Sequence, residues 1–282
     1  MSNTSTYRIG HNKAVHNFFN TRTAAQCAPH LLPHLVGKSS LTLLDVGCGS
    51  GSLTLDLASL LSDGHVVGVD ASESALHTAR ALAKDRCITN VTFLQGDAMD
   101  LKSSFDFEDE SFDIVHAHQV LVHQSPDAAI HLIRQMQRIA KPGGIICSRD
   151  IITSTWTWYP STEQMRTTLK ASVNEIWRVE EHKDADLGNQ LITLAMKAGF
   201  DRGAIDFSIV TELTASDPES RAIQMKMAGV QIDKLEGRIV GEAMMTKDKV
   251  EDLKLDFEKW AQNDDAWCGY MCGAIVCHVG DK

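Results

Sequence analysis

Residues 43–51 read Leu43-Leu44-Asp45-Val46-Gly47-Cys48-Gly49-Ser50-Gly51, an apolar run that reaches a carboxylate and then places three glycines at alternate positions. Such a run reads as a strand turning into a helix, here over 52–61, and glycine lets the turn press its backbone against a ligand. A pyrophosphate clamp spaces its last glycine one residue further on. Asp-x-Gly-x-Gly-x-Gly therefore suits an adenosine that carries an amino acid better than it suits a dinucleotide. The glycines have separate tasks: Gly47 ends the strand, Gly49 brings the backbone close, and Gly51 allows tight packing where the helix begins. Alone, the loop also fits a structural turn in any α/β protein.

The next two strands strengthen the ligand reading. A second apolar strand, 65–70, ends in Asp70, 19 residues after Gly51 (70 − 51). A carboxylate at that tip, with Ala71 beside it, is placed to accept both ribose hydroxyls. A third strand, 91–97, ends in Asp97, which together with the Ala98 backbone is placed to read the adenine edge. Asp45, Asp70 and Asp97 then line the carboxyl edge of a parallel sheet, where open α/β sheets bind ligands. Each aspartate also fits as a helix N-cap. At Asp70 the nearby Ser72 is the better cap, which releases the carboxylate for a ligand.

Helix and strand patterns alternate through residue 151. A fourth strand at 112–117 is followed by a helix at 126–140, closed by Lys141-Pro142-Gly143-Gly144, and by a fifth strand at 145–148. This βαβ series predicts a parallel sheet with right-handed crossovers. Downstream, 186–198 reads as a helix stopped by Gly199, 205–213 as a sixth strand, 216–262 as mainly helical, and 273–279 as a closing strand.

On these residues the chain resembles the class I S-adenosylmethionine-dependent methyltransferases. Within them it is most similar to the ubiquinone/menaquinone-biosynthesis (UbiE-like) family, in the branch that includes small-molecule and natural-product enzymes. The likeness is carried by LDVGCGSGSLTLDLA (44–58), VVGVDAS (66–72), QGDAMDL (95–101), FDIVHAHQVLVH (112–123) and RIAKPGGIICSRD (138–150). It covers residues from about 7 to 150 and thins beyond to TWTWYP (155–160) and the closing strand. Ser50 and Ser52 flank Gly51 where the family more often has Gly-Cys-Gly-Pro-Gly.

The resemblance implies an α/β fold with a Rossmann-like seven-stranded sheet, mostly parallel, whose last strand runs antiparallel beside the sixth. It implies S-adenosyl-L-methionine as cofactor. It also implies an N-terminal helical lid (1–40) and a catalytic domain (41–282) with cap segments at 153–185 and 214–265. In the family, a segment like the one holding Tyr7, His11, His16, Phe18 and Phe19 folds over the methionine moiety. Arg22 is then a candidate partner for its carboxylate. The alternative is a surface arginine beside a Thr23 cap, on a helix from near 23 to 33.

The fourth strand carries His116 and His118, two apart on one face, with His123 following. His-x-His can bind zinc when a third imidazole converges. That would require His123 to fold back, and no carboxylate is evident to orient the rings, so no metal is expected. His118, at the strand tip, reads as a hydrogen-bond partner for the methionine end of the cofactor. His123 is a candidate general base, or else a buried structural histidine. Asp150 is a second candidate base, with pairing to Arg149 or a capping role as the alternative. Trp156 and Trp158 share a face of an extended stretch and, with Tyr159, are candidates for a substrate wall that takes a flat or cationic group; they fit a core equally. Met225, Met227, Met244, Met245 and Trp260 read as helix core.

The chain has 282 residues, 43% hydrophobic and 23% charged, which is ordinary for one globular domain. A formal charge of −10 and a pI near 5.6, with no basic cluster, argue against a nucleic-acid surface. No signal core and no run of about 18 apolar residues appear, so the expectation is a cytoplasmic protein with no membrane span. Seven cysteines, an odd and scattered set, fit reduced thiols. Cys268, Cys272 and Cys277 with His278 lack the Cys-x-x-Cys spacing of structural zinc and read as strand core. The function expected is methyl transfer from S-adenosyl-L-methionine to carbon, oxygen or nitrogen of a small molecule, of quinol, phenol or natural-product type. An NAD-dependent oxidoreductase is the alternative, disfavoured by the loop spacing and by the lack of Tyr-x-x-x-Lys after the fifth strand. A catalytically silent regulatory subunit is another, opposed by the intact loop and Asp70. Monomer and homodimer are both compatible with this sequence.

Overall fold

A computed structural model of the chain describes residues 22–166, 186–241 and 245–280. One sheet holds seven strands: β1 (Thr42–Val46), β2 (His65–Asp70), β3 (Val91–Gln95), β4 (Phe112–His118), β5 (Ala140–Tyr159), β6 (Ile205–Ala215) and β7 (Trp267–His278). Their order is β3-β2-β1-β4-β5-β7-β6. The first five pair in parallel, and β7 runs antiparallel between β5 and β6. The chain leaves β1 for β2 on one side and reaches β4 on the other, so the strand order reverses at β1/β4. The crevice at their carboxyl ends is where such sheets take ligands.

Nine helices accompany the sheet among the described residues: α1 (Ala24–Cys27), α2 (Leu32–Leu35), α3 (Ser52–Leu60), α4 (Glu73–Asp85), α5 (Leu101–Phe105), α6 (Pro126–Ile139), α7 (Leu191–Ala198), α8 (Pro218–Gly241) and α9 (Lys247–Gln262). Local chemistry sets their ends. Ser125 caps α6 by accepting from the Ala128 amide, Pro126 occupies its first turn, and Asp127 complements the helix dipole. Its buried face, Ala129, Ile130, Leu132, Ile133, Met136 and Ile139, follows the helical repeat. Gly199, at φ 119°, closes α7.

Strand alternation divides the core. Val115 and Ala117 face the layer of α6 and α7, whereas Ile114 faces the layer of α1 to α3 with Leu43, Val66 and Cys147. A further cluster lies under α8 and α9, built from Trp158, Ile232, Met245, Leu253, Phe257, Trp260 and Cys268. Met245 is a core residue there with Met225 packed against it, and Met227 on α8 is buried, as expected of helix core. Cys268, Cys272 and Cys277 are buried in β7, and all seven cysteines are free thiols. Among the described residues, no helix is long and apolar enough to cross a membrane.

Several elements differ from the local sequence pattern. The helix expected over 23–33 is two single turns, because Pro29 disfavours a helical Ala28, which sits at φ −128° and ψ 35°. The helix expected at 186–198 begins as a 3₁₀ turn, Leu187–Gln190. β5, expected at 145–148, absorbs Lys141-Pro142-Gly143-Gly144 at one end and runs through a bulge to Tyr159 at the other. At its start the Gly143 amide donates to the Val279 carbonyl and the Val279 amide to the Gly144 carbonyl. At its end Tyr159 pairs with Trp267, where β7 begins, earlier than the expected 273. The ladder with a distant strand extends β5 where local signals would have stopped it. Residues Tyr7, His11, His16, Phe18, Phe19, Trp177 and Met244 lie outside the described residues.

Because β5 and β7 run from the sheet into the cluster under α8 and α9, sheet and cluster should unfold together. Phe257 is buried edge-on against Trp158 at 5.0 Å between ring centroids. Phe257→Ala is expected to cost about 3–5 kcal/mol, with urea transitions by tryptophan fluorescence and far-UV circular dichroism remaining coincident; two separated transitions would show that this cluster unfolds independently.

Candidate active site

The glycine loop leaves β1 with Gly47, Gly49 and Gly51 at φ of 68°, 55° and 80°, a region that costs other residues strain. Their surroundings differ. A Cβ on Gly47 would meet Val120 Cγ2 at 2.5 Å, and one on Gly51 would meet Ala79 Cβ at 2.6 Å. A Cβ on Gly49 would meet nothing within 4 Å. Gly47 and Gly51 are therefore packed, and Gly49 borders open space. Gly51 is also the N-cap of α3 and offers no side-chain cap, which leaves helix amides directed at the crevice.

Asp70, at the tip of β2, accepts from the Gly49 amide at 2.9 Å and from the Ser72 amide at 2.8 Å. A carboxylate accepts about four hydrogen bonds, so holding the loop is compatible with taking a ribose. Ser72, as the sequence suggested, caps α4 through the Ala75 amide. Ala71 is exposed beside it. Asp97 lies exposed at the tip of β3 and caps the turn Ala98–Asp100 through the Met99 amide at 2.9 Å, with Ala98 half-buried next to it. This loop, an uncapped helix start and Asp70 together fit an adenosine-bearing ligand.

Asp45 does not share that edge. Its side chain is buried, with one oxygen accepting from Thr54 Oγ1 at 2.6 Å and the other 2.9 Å from His116 Nδ1. Its carboxylate points inward and braces α3 against β4, which corrects the ligand-contact reading. It also fixes the His116 tautomer, with Nδ1 carrying the proton toward the carboxylate.

Beneath the tips of β4 to β7 lies a buried polar layer. Arg149, fully buried, pairs with Glu212 at 2.8 Å and stands 3.4 Å from His118 Nδ1. Burial would lower the Arg149 pKa, but the Glu212 carboxylate more than reverses this, so the guanidinium stays charged. Burial, and then the charges of Arg22 and Arg149, push His118 well below the usual imidazole range. Burial, and then His116, pushes His30 down to about 3. Both imidazoles are neutral at physiological pH. Cys27, His118 and Glu212 bring possible ligand atoms within 4.8 Å of one another. Burial, and then Glu212, raises the Cys27 thiol to about 11, and the Arg149 guanidinium contacts the other two groups, so this set does not fit a cation. Among the described residues, His116, His118 and His123 are not gathered into one group of possible metal ligands.

Arg22 is half-buried; its Nη2 donates to Gln119 Oε1 at 2.8 Å. Gln119 Nε2 donates in turn to Tyr270 Oη at 3.0 Å. Trp156 packs edge-on against Tyr270 at 5.3 Å and stacks on Trp158 at 5.6 Å. The three aromatic candidates separate: Trp156 borders the tips of β4 and β7, Trp158 is locked between Phe257 and Trp260, and Tyr159 is exposed beside Trp267. The structure does not bring the three aromatic candidates onto one wall, and Trp156 meets Tyr270 instead.

His123 ends the turn Leu121–His123 just after β4 and is half-buried. Asp150 is fully buried, accepting from the Val122 amide and from Ser148 Oγ, each at 2.9 Å. Arg149 points to Glu212 instead of to Asp150. Burial raises the Asp150 carboxyl to about 6 against these two hydrogen bonds. One oxygen of Asp150 thus holds the turn that carries His123, and the other is taken by Ser148 beside it in β5. Sequence reasoning did not single out Gln119, Tyr270, Glu212 or His30. Gln119 lies inside a quoted motif, but its partner Tyr270 is 151 residues away.

Comparison with known proteins bears on the family and the fold. A family model described as "Methyltransferase domain" matches residues 37–199, from before β1 to the end of α7. The chain is 29% identical over 275 residues, 94% of both chains, to "Probable methyltransferase ltbC" of Aspergillus luteorubrus. It is 39% identical over 111 residues to a demethylmenaquinone methyltransferase of Lactococcus lactis, covering 39% of this chain and 42% of that one. A structure of Haemonchus contortus phosphoethanolamine N-methyltransferase 2 in complex with S-adenosyl-L-methionine matches at a TM-score of 0.52 and 20% identity, over 90% of this chain and 52% of that one. At that identity the likeness is one of fold.

Two predictions test the geometry. Gly49→Ala is expected to cost about 1 kcal/mol for its backbone conformation, while Gly51→Ala adds a clash and costs roughly 2–4 kcal/mol in urea unfolding; equal losses would contradict the packing. A raised Asp150 pKa means its favourable contribution is complete below about pH 4 and lost as pH rises through about 6. The stability difference between wild type and Asp150→Asn should therefore fall by on the order of 3 kcal/mol from pH 4 to 7; a rise would contradict it.

Proposed function

Starting from a chain that belongs to the methyltransferase-domain family and is a class I S-adenosylmethionine-dependent methyltransferase, we propose that its acceptor is a flat, oxygenated small molecule of phenol or quinol type. The observation that carries this reading is the wall of Trp156 and Tyr270, aromatic with an amide-bonded hydroxyl, at the tips of β4 and β7. The name of the Lactococcus relative, which covers part of the chain, supports putting quinols first. The net charge of −10 supports a small molecule over a nucleic acid. The free thiols support a cytoplasmic setting. Segments 153–185 and 214–265 are proposed as the cap over the acceptor, and 1–40 as the lid over the donor.

The residues divide the work. Asp70 and Ala71 would hold the ribose, Asp97 and Ala98 the adenine, and the Gly47–Gly51 loop with the start of α3 the amino-acid end. Arg22 would receive the carboxylate. When bound, S-adenosyl-L-methionine supplies a methyl group already activated by its sulfonium. The protein must then align the nucleophile and exclude water. His118, kept neutral by burial and by the arginines, can stand near a cationic sulfonium without repelling it. Burial, and then Glu212, holds the Tyr270 phenol well above its ordinary pKa, so it acts as a hydrogen-bonding hydroxyl and not as a base. His123 is the candidate base, needed where the acceptor must lose a proton. The donor assignment sets aside a dinucleotide in the glycine loop.

Calorimetry should show S-adenosylhomocysteine binding one to one and NAD not binding. Asp70→Ala should weaken the former at least about tenfold with the fold retained by circular dichroism. No binding to wild type would overturn the donor site. With labelled donor, transfer to a hydroxylated aromatic is expected across a panel of quinols, phenols and amines. Transfer to amines alone would overturn the acceptor class, and no turnover across the panel would favour the regulatory-subunit reading.

A further inference from the structure

Gln119 directly follows β4 and has a left-handed backbone, φ 54°, which a non-glycine residue adopts only where its surroundings enforce it. The enforcing contact is its amide, which donates to the Arg149 carbonyl at 2.7 Å. This conformation aims the carboxamide between two partners. A guanidinium can only donate, so the oxygen must face Arg22 and the nitrogen must face Tyr270. The amide orientation is thereby fixed from both sides.

Arg22 is held at a second point. Its carbonyl accepts from Ser52 Oγ at 2.7 Å, and the Ala24 amide donates to Asp56 Oδ2 at 2.9 Å, both on α3. Its backbone is thus tied to the helix that begins at the glycine loop, and its charged head is tied to the tip of β4. A long, flexible side chain becomes a charge in a set place.

We propose that Gln119 is a positioning residue for the methyl donor, holding the Arg22 guanidinium at the tip of β4 as the receptor for the donor's carboxylate. The proposal rests on the reading of Arg22 as that carboxylate's partner. Through Tyr270 and Trp156 the same amide joins the donor's charged end to the acceptor wall.

The test compares two probes in the same sample, S-adenosylhomocysteine and its decarboxylated analogue, so that any loss of folded protein cancels in the ratio of their affinities. Wild type is expected to favour the carboxylate-bearing probe by about 10- to 100-fold, the range for a hydrogen bond to a charged group. Gln119→Leu should lower that ratio about tenfold by weakening only the homocysteine compound. Arg22→Met should bring it close to one, with no further loss in the double variant. Gln119→Glu should lower it more than leucine does, because its charge would neutralise Arg22. An unchanged ratio in Gln119→Leu, or equal weakening of both probes, would overturn the proposal. So would a ratio lost in Gln119→Leu but kept in Arg22→Met, which would make Gln119 itself the carboxylate's contact. A ratio kept in Arg22→Met and in Gln119→Leu alike would overturn the Arg22 reading too, whereas failure of wild type to bind either probe would strike the donor site as a whole.

Discussion

The carboxylate of Asp70 bridges two backbone amides, Gly49 on the loop after β1 and Ser72 at the start of α4. The sheet makes this bridge available. β1 and β2 are neighbours in a register that pairs Val46 with Val69, and the Cys48 amide extends that pairing by donating to the Val69 carbonyl. The loop's curvature, the approach of its open glycine to the crevice and the entry into α4 all depend on one side chain. A charged group hydrogen-bonded to two amides is among the stronger ties a half-exposed edge can have. The same group is the one best placed for a ribose, so the loop is shaped by the residue that would help hold the ligand.

Its neighbour Asp45 shows what burial does to the same residue type. Asp45 turns inward, where Thr54 and His116 satisfy it, and it joins a layer in which burial keeps His30 and His118 neutral and a guanidinium is neutralised by Glu212. Charge in this protein is paired beneath the crevice and presented along its rim. Burying polar groups costs free energy unless they find partners, and the layer reaches from α1 across four strands to meet that cost. Arg22, Gln119 and Tyr270 form a hydrogen-bonded chain next to the layer.

Much of this was legible locally. The first four strands, the crossover helices, the Ser72 cap and the separate tasks of three glycines follow from short-range pattern, because each depends on residues within a turn or a strand. The family resemblance supplied the antiparallel last strand. Sequence could not tell an inward carboxylate from an outward one. Asp45, Asp70 and Asp150 look alike at strand ends, and what separates them is His116, 71 residues from Asp45, and Val122, 28 residues from Asp150. The length of β5 escaped for the same reason, since its extension is a ladder with β7 and not a local preference. Trp156 and Trp158 share a face, but α9 decides which of them is core.

The central claim is that the donor settles on the loop that Asp70 braces, at the carboxyl ends of β1 and β2. Amide chemical shifts of the isotope-labelled protein, recorded with and without S-adenosylhomocysteine, measure this directly. The account predicts the largest changes at Gly49, Gly51 and Ser72, with Asp113 and Lys141, an ion pair at the opposite edge of the sheet, left unmoved. Shifts confined to that opposite edge, with the Gly49 and Ser72 amides unchanged, would contradict it.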